Sequence, residues 1–272
     1  MLAAPEPTSF DLSFRAFKIP VRVHPSFWVT MALLGGALSV GPNNRNLVPV
    51  FTFIVAGFIS ILVHEFGHGL TYRAFGQWPR LVLYYFGGLA IGQQEERNPW
   101  RRLMIILAGP AAGFALMGLS LWAGGLFYGV GPGGLLAFLG LPIGLRLGDI
   151  EALQPALSRG ETPGFHFWWD MVSVNLLWNV LNMLPVYPLD GGQAAGVLLG
   201  LRDRRRGQQW LHILSIAVAA LLIVYCLMSD RGLQITAILF GILALQNFQM
   251  LQALQHIRAG GFGDDADDWW RR

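Results

Sequence analysis

Residues 48–76 read VPVFTFIVAGFISILVHEFGHGLTYRAFG. From Val48 to Leu70 the only ionisable side chains are His64, Glu65 and His68. As an α-helix the stretch is long enough to cross a hydrocarbon layer of about 30 Å. His64 would then lie roughly 24 Å from Val48 and roughly 13 Å from Arg73, submerged but nearer the Arg73 end. Charges and imidazoles are costly at such depth, so three together call for a reason. Two histidines four apart stand one helical turn from each other, and both imidazoles can reach one metal ion. A glutamate beside the first of them is placed to take a proton from water that the ion activates. The other reading of this segment alone is a pair of packing histidines bonded to a buried glutamate.

Composition supports a lipid setting. Of 272 residues 54% are hydrophobic and 13% charged, far from soluble-protein averages. The net charge of +3 is too small to argue for nucleic acid. The one cysteine, Cys226, lies inside an apolar stretch, which excludes a disulfide framework or a cysteine metal cluster. The first 20 residues mix Pro, Glu, Asp, Arg and Lys with no leading apolar run, so no cleavable signal is expected and the first span serves as the insertion signal.

These runs predict an all-α polytopic membrane protein with about six transmembrane helices and a small membrane-associated β-hairpin. Residues 1–26 form a cytoplasmic lead, closed by His24-Pro25 with His24 as a polar boundary residue. Residues 27–251 are the membrane domain, with its core at about 48–200, and 252–272 are a mobile acidic tail. Spans are expected at 27–41, 48–70, 103–129, 168–186, 210–228 and 233–251. LVLYYFGGLAIGQQ at 81–94 reads as the hairpin, turning at Gly87-Gly88. Gly131–Leu147, broken by Gly and Pro, suits a re-entrant or interfacial element. With both termini cytoplasmic, fifteen Lys and Arg fall inside, while Arg45, Arg146, Arg159 and Arg231 fall outside, a strong positive-inside bias. The ends of the second and fourth spans then share the cytoplasmic side.

The fourth span ends in NVLNMLPVYPLDGG, 179–192. Pro185 and Pro188 interrupt a regular helix, and Gly191-Gly192 permits a sharp turn. Unwound backbone at membrane depth persists only where it is buried in protein or lines a wet cavity. Asp190 is therefore a candidate third metal ligand, with a solvated helix cap as the alternative. Asn175, Asn179 and Asn182 share a helix face. Asn175 and Asn179 read as glue between helices. Asn182 is a candidate donor to a substrate carbonyl or oxyanion.

His64-Glu-Phe-Gly-His68 together with Asn182-Met-Leu-Pro185-Val-Tyr-Pro188-Leu-Asp190-Gly191 resembles the site-2 protease family of intramembrane zinc metalloproteases, over about residues 20–200. The Phe-Gly-Gly hairpin and Ala108-Gly109-Pro110 are similar to its six-span branch. The resemblance implies one Zn2+ per chain on His64, His68 and Asp190, Glu65 as general base, Asn182 as the motif asparagine, and cleavage within transmembrane substrate proteins in the bilayer of the cell (inner) membrane. It names neither a substrate nor a regulatory partner. Gly113 departs from the pattern, since many relatives carry asparagine there. Residues 130–166 are too few for the PDZ domain of some relatives, and the residues after Leu251 too few for a CBS pair. A multi-pass metal transporter would need further ionisable residues through its spans, and a non-catalytic helix-binding adaptor would not need Glu65. Whether the 81–94 hairpin holds an unwound substrate strand or is purely structural stays open.

Overall fold

The computed structural model describes residues 5–41, 46–85, 87–141, 147–160, 162–229 and 234–259. The chain packs as two units, Met1–Arg97 with Met104–Leu181, and Asn98–Leu103 with Asn182–Arg272. Its elements in order are β1 (Leu12–Ala16), β2 (Ile19–Val23), α1 (Pro25–Leu34), α2 (Val48–Ala74), β3 (Arg80–Tyr84), β4 (Gly87–Ile91) and α3 (Pro99–Tyr128). There follow α4 (Pro132–Gly140), α5 (Gln154–Leu157), α6 (Pro163–Asn182), α7 (Asp190–Leu199), α8 (Arg204–Met228) and α9 (Gln234–Ala259). Among the described residues four helices are long and apolar enough to cross a membrane: α2, α3, α8 and the Thr236–Gln255 part of α9. The molecule is a mostly helical, multi-span membrane protein.

The expected all-α fold with one hairpin needs correction. The strands form a four-stranded sheet in the order β1-β2-β3-β4, antiparallel at both flanks and parallel between β2 and β3. The lead at 1–26 thus holds half of the sheet. Its β1–β2 turn is Phe17-Lys18, both at positive φ (51° and 61°), a conformation that non-glycine side chains resist. Tertiary contacts hold it: the Phe17 ring meets Phe66 edge-on at 5.4 Å, and the Arg73 guanidinium donates to the Phe17 carbonyl. One sheet face, carrying Ile19, Val21, Val23, Leu81 and Leu83, packs on Phe27, Met31, Ile61 and Phe66. This core fixes the sheet against α1 and α2.

The hairpin also turns elsewhere than expected. β3 ends at Tyr84 and β4 begins at Gly87, so the glycine pair belongs to the strand. Space explains those glycines. A Cβ at Gly87 would come within 3.0 Å of the Trp178 ring, and one at Gly88 would overlap the Glu65 side chain.

The first expected span is shortened. α1 has 10 residues, about 15 Å, and is followed by Gly35-Gly36, with Gly36 at φ 87°. His24 is a boundary residue as expected: its Nδ1 accepts from the Ser26 amide at 3.1 Å and caps α1. α4, with 9 residues, is too short to cross a bilayer. Residues 142–146 of that apolar region lie outside the described residues. α9 runs to Ala259, past the expected tail boundary at 252, and the tail from 260 on lies outside the described residues.

Polar pairs join α2 to α6. Thr52 Oγ1 donates to Asp170 Oδ2 at 2.7 Å, and Asn175 Nδ2 donates to Ser60 Oγ at 2.8 Å and to the Met171 carbonyl. Asn175 is the helix glue that its position suggested. Near the start of α6, Trp168 stacks on Phe138 with centroids 4.1 Å apart and rings 8° from parallel, while its Nε1 donates to the Ser120 carbonyl at 2.9 Å. A Cβ at Gly124 would overlap the Trp168 indole. Gly124→Ala should therefore displace the ring and destabilise the fold by about 1–3 kcal/mol. Thermal unfolding in detergent reads this, and an unchanged midpoint would mean that the stack yields freely.

Candidate metal centre

The site is built on the last turns of α2. His64, Glu65 and His68 are buried, at 2%, 4% and 8% exposure. One helical turn brings the two imidazoles together, with Nε2 to Nε2 at 3.2 Å and ring centroids 4.9 Å apart. The far nitrogen of each ring is engaged. His64 Nδ1 lies 3.0 Å from Asn179 Oδ1, and His68 Nδ1 lies 2.7 Å from the Ile105 carbonyl oxygen. An acceptor oxygen at each Nδ1 calls for N–H there, which leaves both Nε2 atoms as lone-pair donors facing one another. Two such lone pairs repel unless a cation lies between them. This donor set fits a borderline-soft ion such as zinc, and the tethered rings have the orientation and tautomer that metal ligands use.

Close helix approach makes the arrangement possible. A Cβ at Gly67 would overlap the Ala108 backbone, and one at Gly109 would overlap the His68 ring and come within 2.8 Å of His64 Nε2. The Ala108-Gly109-Pro110 stretch of α3 therefore passes directly beside the two Nε2 atoms. Small residues at such crossings let backbones approach where a side chain would hold them apart.

Several contributors were not evident in the sequence as functional residues. Asn179, expected only as glue, orients His64. A Cβ at Gly113 would overlap the Asn179 carboxamide, so the glycine leaves room for that amide. The position that lacks asparagine thus borders an asparagine supplied by α6. Tyr84 is a further neighbour of the site. Burial first, and then the nearby Glu65 carboxylate, raise its phenol above the ordinary tyrosine range. Gly88 brings the backbone of β4 onto Glu65 itself.

Asn182 and Asp190 belong to the second unit, at the two ends of the loop 183–189. Asn182 closes α6 and is buried. Asp190 is the first residue of α7 and is also buried. A helix N-terminus stabilises negative charge, which suits an ionised carboxylate ligand. The helix can start there because Gly191 and Gly192 fit tightly against the loop: Cβ atoms at these positions would overlap the Met183 carbonyl and the backbone of Val186 and Tyr187.

Comparison with known proteins gives the family of the chain. The profile of Peptidase family M50 matches residues 52–225. A Synechocystis sp. relative, sll0528, is 28% identical over 184 residues, covering 65% of this chain and 40% of that protein. Zinc metalloprotease MJ0392 of Methanocaldococcus jannaschii is 22% identical over 248 residues, covering 90% of this chain and 58% of that protein. The chain thus spans about half the length of these curated relatives. The solved structure of the site-2 protease from Methanocaldococcus jannaschii aligns over 91% of this chain and 94% of that one, with a TM-score of 0.50 and 17% identity, a likeness of fold. Because the family profile covers more than half of its residues, the chain belongs to peptidase family M50.

Proposed function

We propose that the protein is an intramembrane zinc endopeptidase that cleaves membrane-protein substrates within or near their transmembrane segments. The observation that carries this reading is the tethered His64–His68 pair, its Nε2 atoms facing one another beside a buried glutamate in an apolar helix. His64, His68 and Asp190 would hold the zinc, three protein ligands that leave one position open. When bound, zinc supplies a Lewis acid that acidifies water and polarises a carbonyl. Glu65 takes the proton from the attacking water and delivers it to the leaving amine. Asn182 offers an amide donor to the carbonyl oxygen as charge develops on it. Asn179 and the Ile105 carbonyl hold the imidazoles in the tautomer that presents Nε2.

A helical substrate hides its peptide groups in its own hydrogen bonds and has to unwind before attack. The sheet offers a place for the unwound stretch. β3 is paired on both sides, so β4, like β1 at the opposite flank, is an edge, and among the described residues no strand covers it. The His24 amide donates to the Leu83 carbonyl at 2.9 Å, which turns Leu81 and Leu83 toward β2 and Arg80, Val82 and Tyr84 toward β4. Their partners Gly87, Leu89 and Ile91 thus point inward, and the backbone groups of Gly88 and Ala90 point to the open edge. A substrate strand added there would run beside Glu65, against which Gly88 packs.

We read both termini as cytoplasmic in a six-span topology, with the site nearer that side. The arginine count supports this. The pairing of β2 with β3 is consistent with it in one respect, since the chain before α1 and the chain after α2 then share one side.

Three outcomes are expected. Purified His64→Ala, His68→Ala and Asp190→Ala should lose zinc, whereas Glu65→Gln should keep it and lose cleavage by at least about a hundredfold. Full zinc in Asp190→Ala would remove that ligand from the set. Ala90→Pro deletes an edge N–H and should slow cleavage of a transmembrane substrate without releasing zinc; Leu83 is interior and Ile91 faces β3, so neither probes the edge. Parental crosslinking and cleavage in Ala90→Pro would make the edge merely structural. Reporter fusions after Gly129 should read as external and fusions after Arg202 as cytoplasmic, and the reverse would overturn the orientation.

A further inference from the structure

The loop that leads to Asp190 is held by residues far along the chain. Tyr187 stands between Pro185 and Pro188, where the backbone has left α6 and not yet entered α7. Both of its main-chain groups are bonded by side chains, each from a different helix. Its amide donates to Ser215 Oγ of α8 at 2.9 Å, and its carbonyl accepts from Asn247 Nδ2 of α9 at 2.7 Å. Each holder is itself committed. Ser215 donates its hydroxyl hydrogen to the Leu211 carbonyl at 2.8 Å, so its oxygen is oriented to accept. Asn247 Nδ2 also donates to the Leu243 carbonyl at 2.8 Å, and its Oδ1 lies 2.8 Å from His212 Nδ1. The amide orientation of Asn247 therefore assigns the N–H of His212 to Nδ1. The Tyr187 ring meets the His212 ring edge-on at 5.6 Å. Ser215 and Asn247 are fully buried, and His212 is 4% exposed.

Such a network is costly if left incomplete, because no water replaces a missing partner inside an apolar helix pair. The direction of its bonds explains what it does. Three polar side chains converge on one residue of an irregular loop, and that residue touches the first turn of α7. A Cβ at Gly192 would overlap the Tyr187 amide nitrogen, and Gln193 Nε2 donates to the Pro188 carbonyl at 3.0 Å. Asp190 lies between those contacts. α7 is also seated on α8 further along: a Cβ at Gly196 would come within 2.8 Å of Leu211, and one at Gly207 within 2.5 Å of Gly200. Rotation of α7, which would swing the Asp190 carboxylate, is thereby blocked at both ends.

We propose that Ser215, Asn247 and His212 are positioning residues that clamp Tyr187 and, through it, hold Asp190 in the geometry of a metal ligand. This rests on the reading of Asp190 as a zinc ligand. It gives α8 and α9, which supply no group to the reaction, a defined part in it: they set how tightly the metal is held. Partners of this kind typically change metal affinity or activity by about 10- to 100-fold when removed.

The experiment is chelator competition for zinc on the full-length protein in detergent, run with steady-state cleavage of a transmembrane substrate. Ser215→Ala and Asn247→Leu should each weaken zinc binding by about tenfold, with KM within about twofold of the parent and kcat restored by excess zinc. His212→Leu should do the same, whereas His212→Asn, whose amide can donate from the position of Nδ1, should restore affinity. The pair Ser215→Ala with Asn247→Leu should lose less than the product of the single effects, since both act on Tyr187. Asp190→Ala is the control for the underlying reading. If it binds zinc as the parent does, Asp190 is no ligand and the clamp has nothing to position. If Asp190→Ala loses zinc while folded Ser215→Ala and His212→Leu keep parental affinity, the positioning role is overturned and the network serves helix packing alone. Should Asn247→Leu fail to fold, Ser215→Ala and the two His212 variants decide the matter.

Discussion

A polar side chain inside an apolar helix bundle has to find its hydrogen-bond partners within the protein, because lipid offers none. Most of the construction follows from that demand. His64 and His68 are each tied at Nδ1, one by a side chain of α6 and the other by a main-chain carbonyl of α3. Asn175 is bonded to Ser60, Thr52 to Asp170, and Asn247 to three separate groups. Each pair also fixes how one helix is rotated against another. Apolar side chains would pack the same helices with many near-equal rotations, whereas a buried amide accepts only the rotation that satisfies it.

Glycine supplies the complementary requirement, room. Gly67, Gly109 and Gly113 let α3 lie against the imidazole-bearing side of α2 and leave space for the Asn179 amide. Gly88 lets a strand approach a carboxylate, and Gly191 and Gly192 let a helix begin against its own preceding loop. None of these six positions carries chemistry. A methyl group at any of them would occupy space that a neighbouring backbone, ring, amide or carboxylate already fills.

Local order in the sequence made part of this legible. Two histidines four apart on an apolar run predict adjacent imidazoles whatever the tertiary fold, and Pro-x-x-Pro-Leu-Asp-Gly-Gly predicts a break in the helix, although not the new helix, α7, that begins at its end. Asn179 was beyond such reasoning because its role depends on which face of α6 meets α2, and that is set by pairs such as Ser60 with Asn175. β1 and β2 were missed because their turn, Phe17-Lys18, has neither Gly nor Asn and is held at positive φ by Phe66 and Arg73, residues about fifty positions away. The glycine pair was read as a turn because local rules assign Gly-Gly to turns, whereas here the glycines make room for Trp178 and Glu65. The first span was drawn too long because apolar character continues past Gly35-Gly36, where the helix does not.

The parallel pairing of β2 with β3 bears on how the chain is assembled. Antiparallel neighbours can close as soon as both have been made, but these two strands are separated by α1 and all of α2. Residues 12–23 leave the ribosome before α1 and α2 and form a hairpin whose β2 flank is still unpaired. They wait until α2 has entered the membrane and returned β3 to the same side. Only then can β3 and β4 dock, with β4 as the outer strand. Completion of the histidine-bearing helix thus precedes completion of the edge beside it, so a chain that ends before residue 80 carries both histidines but lacks β3 and β4.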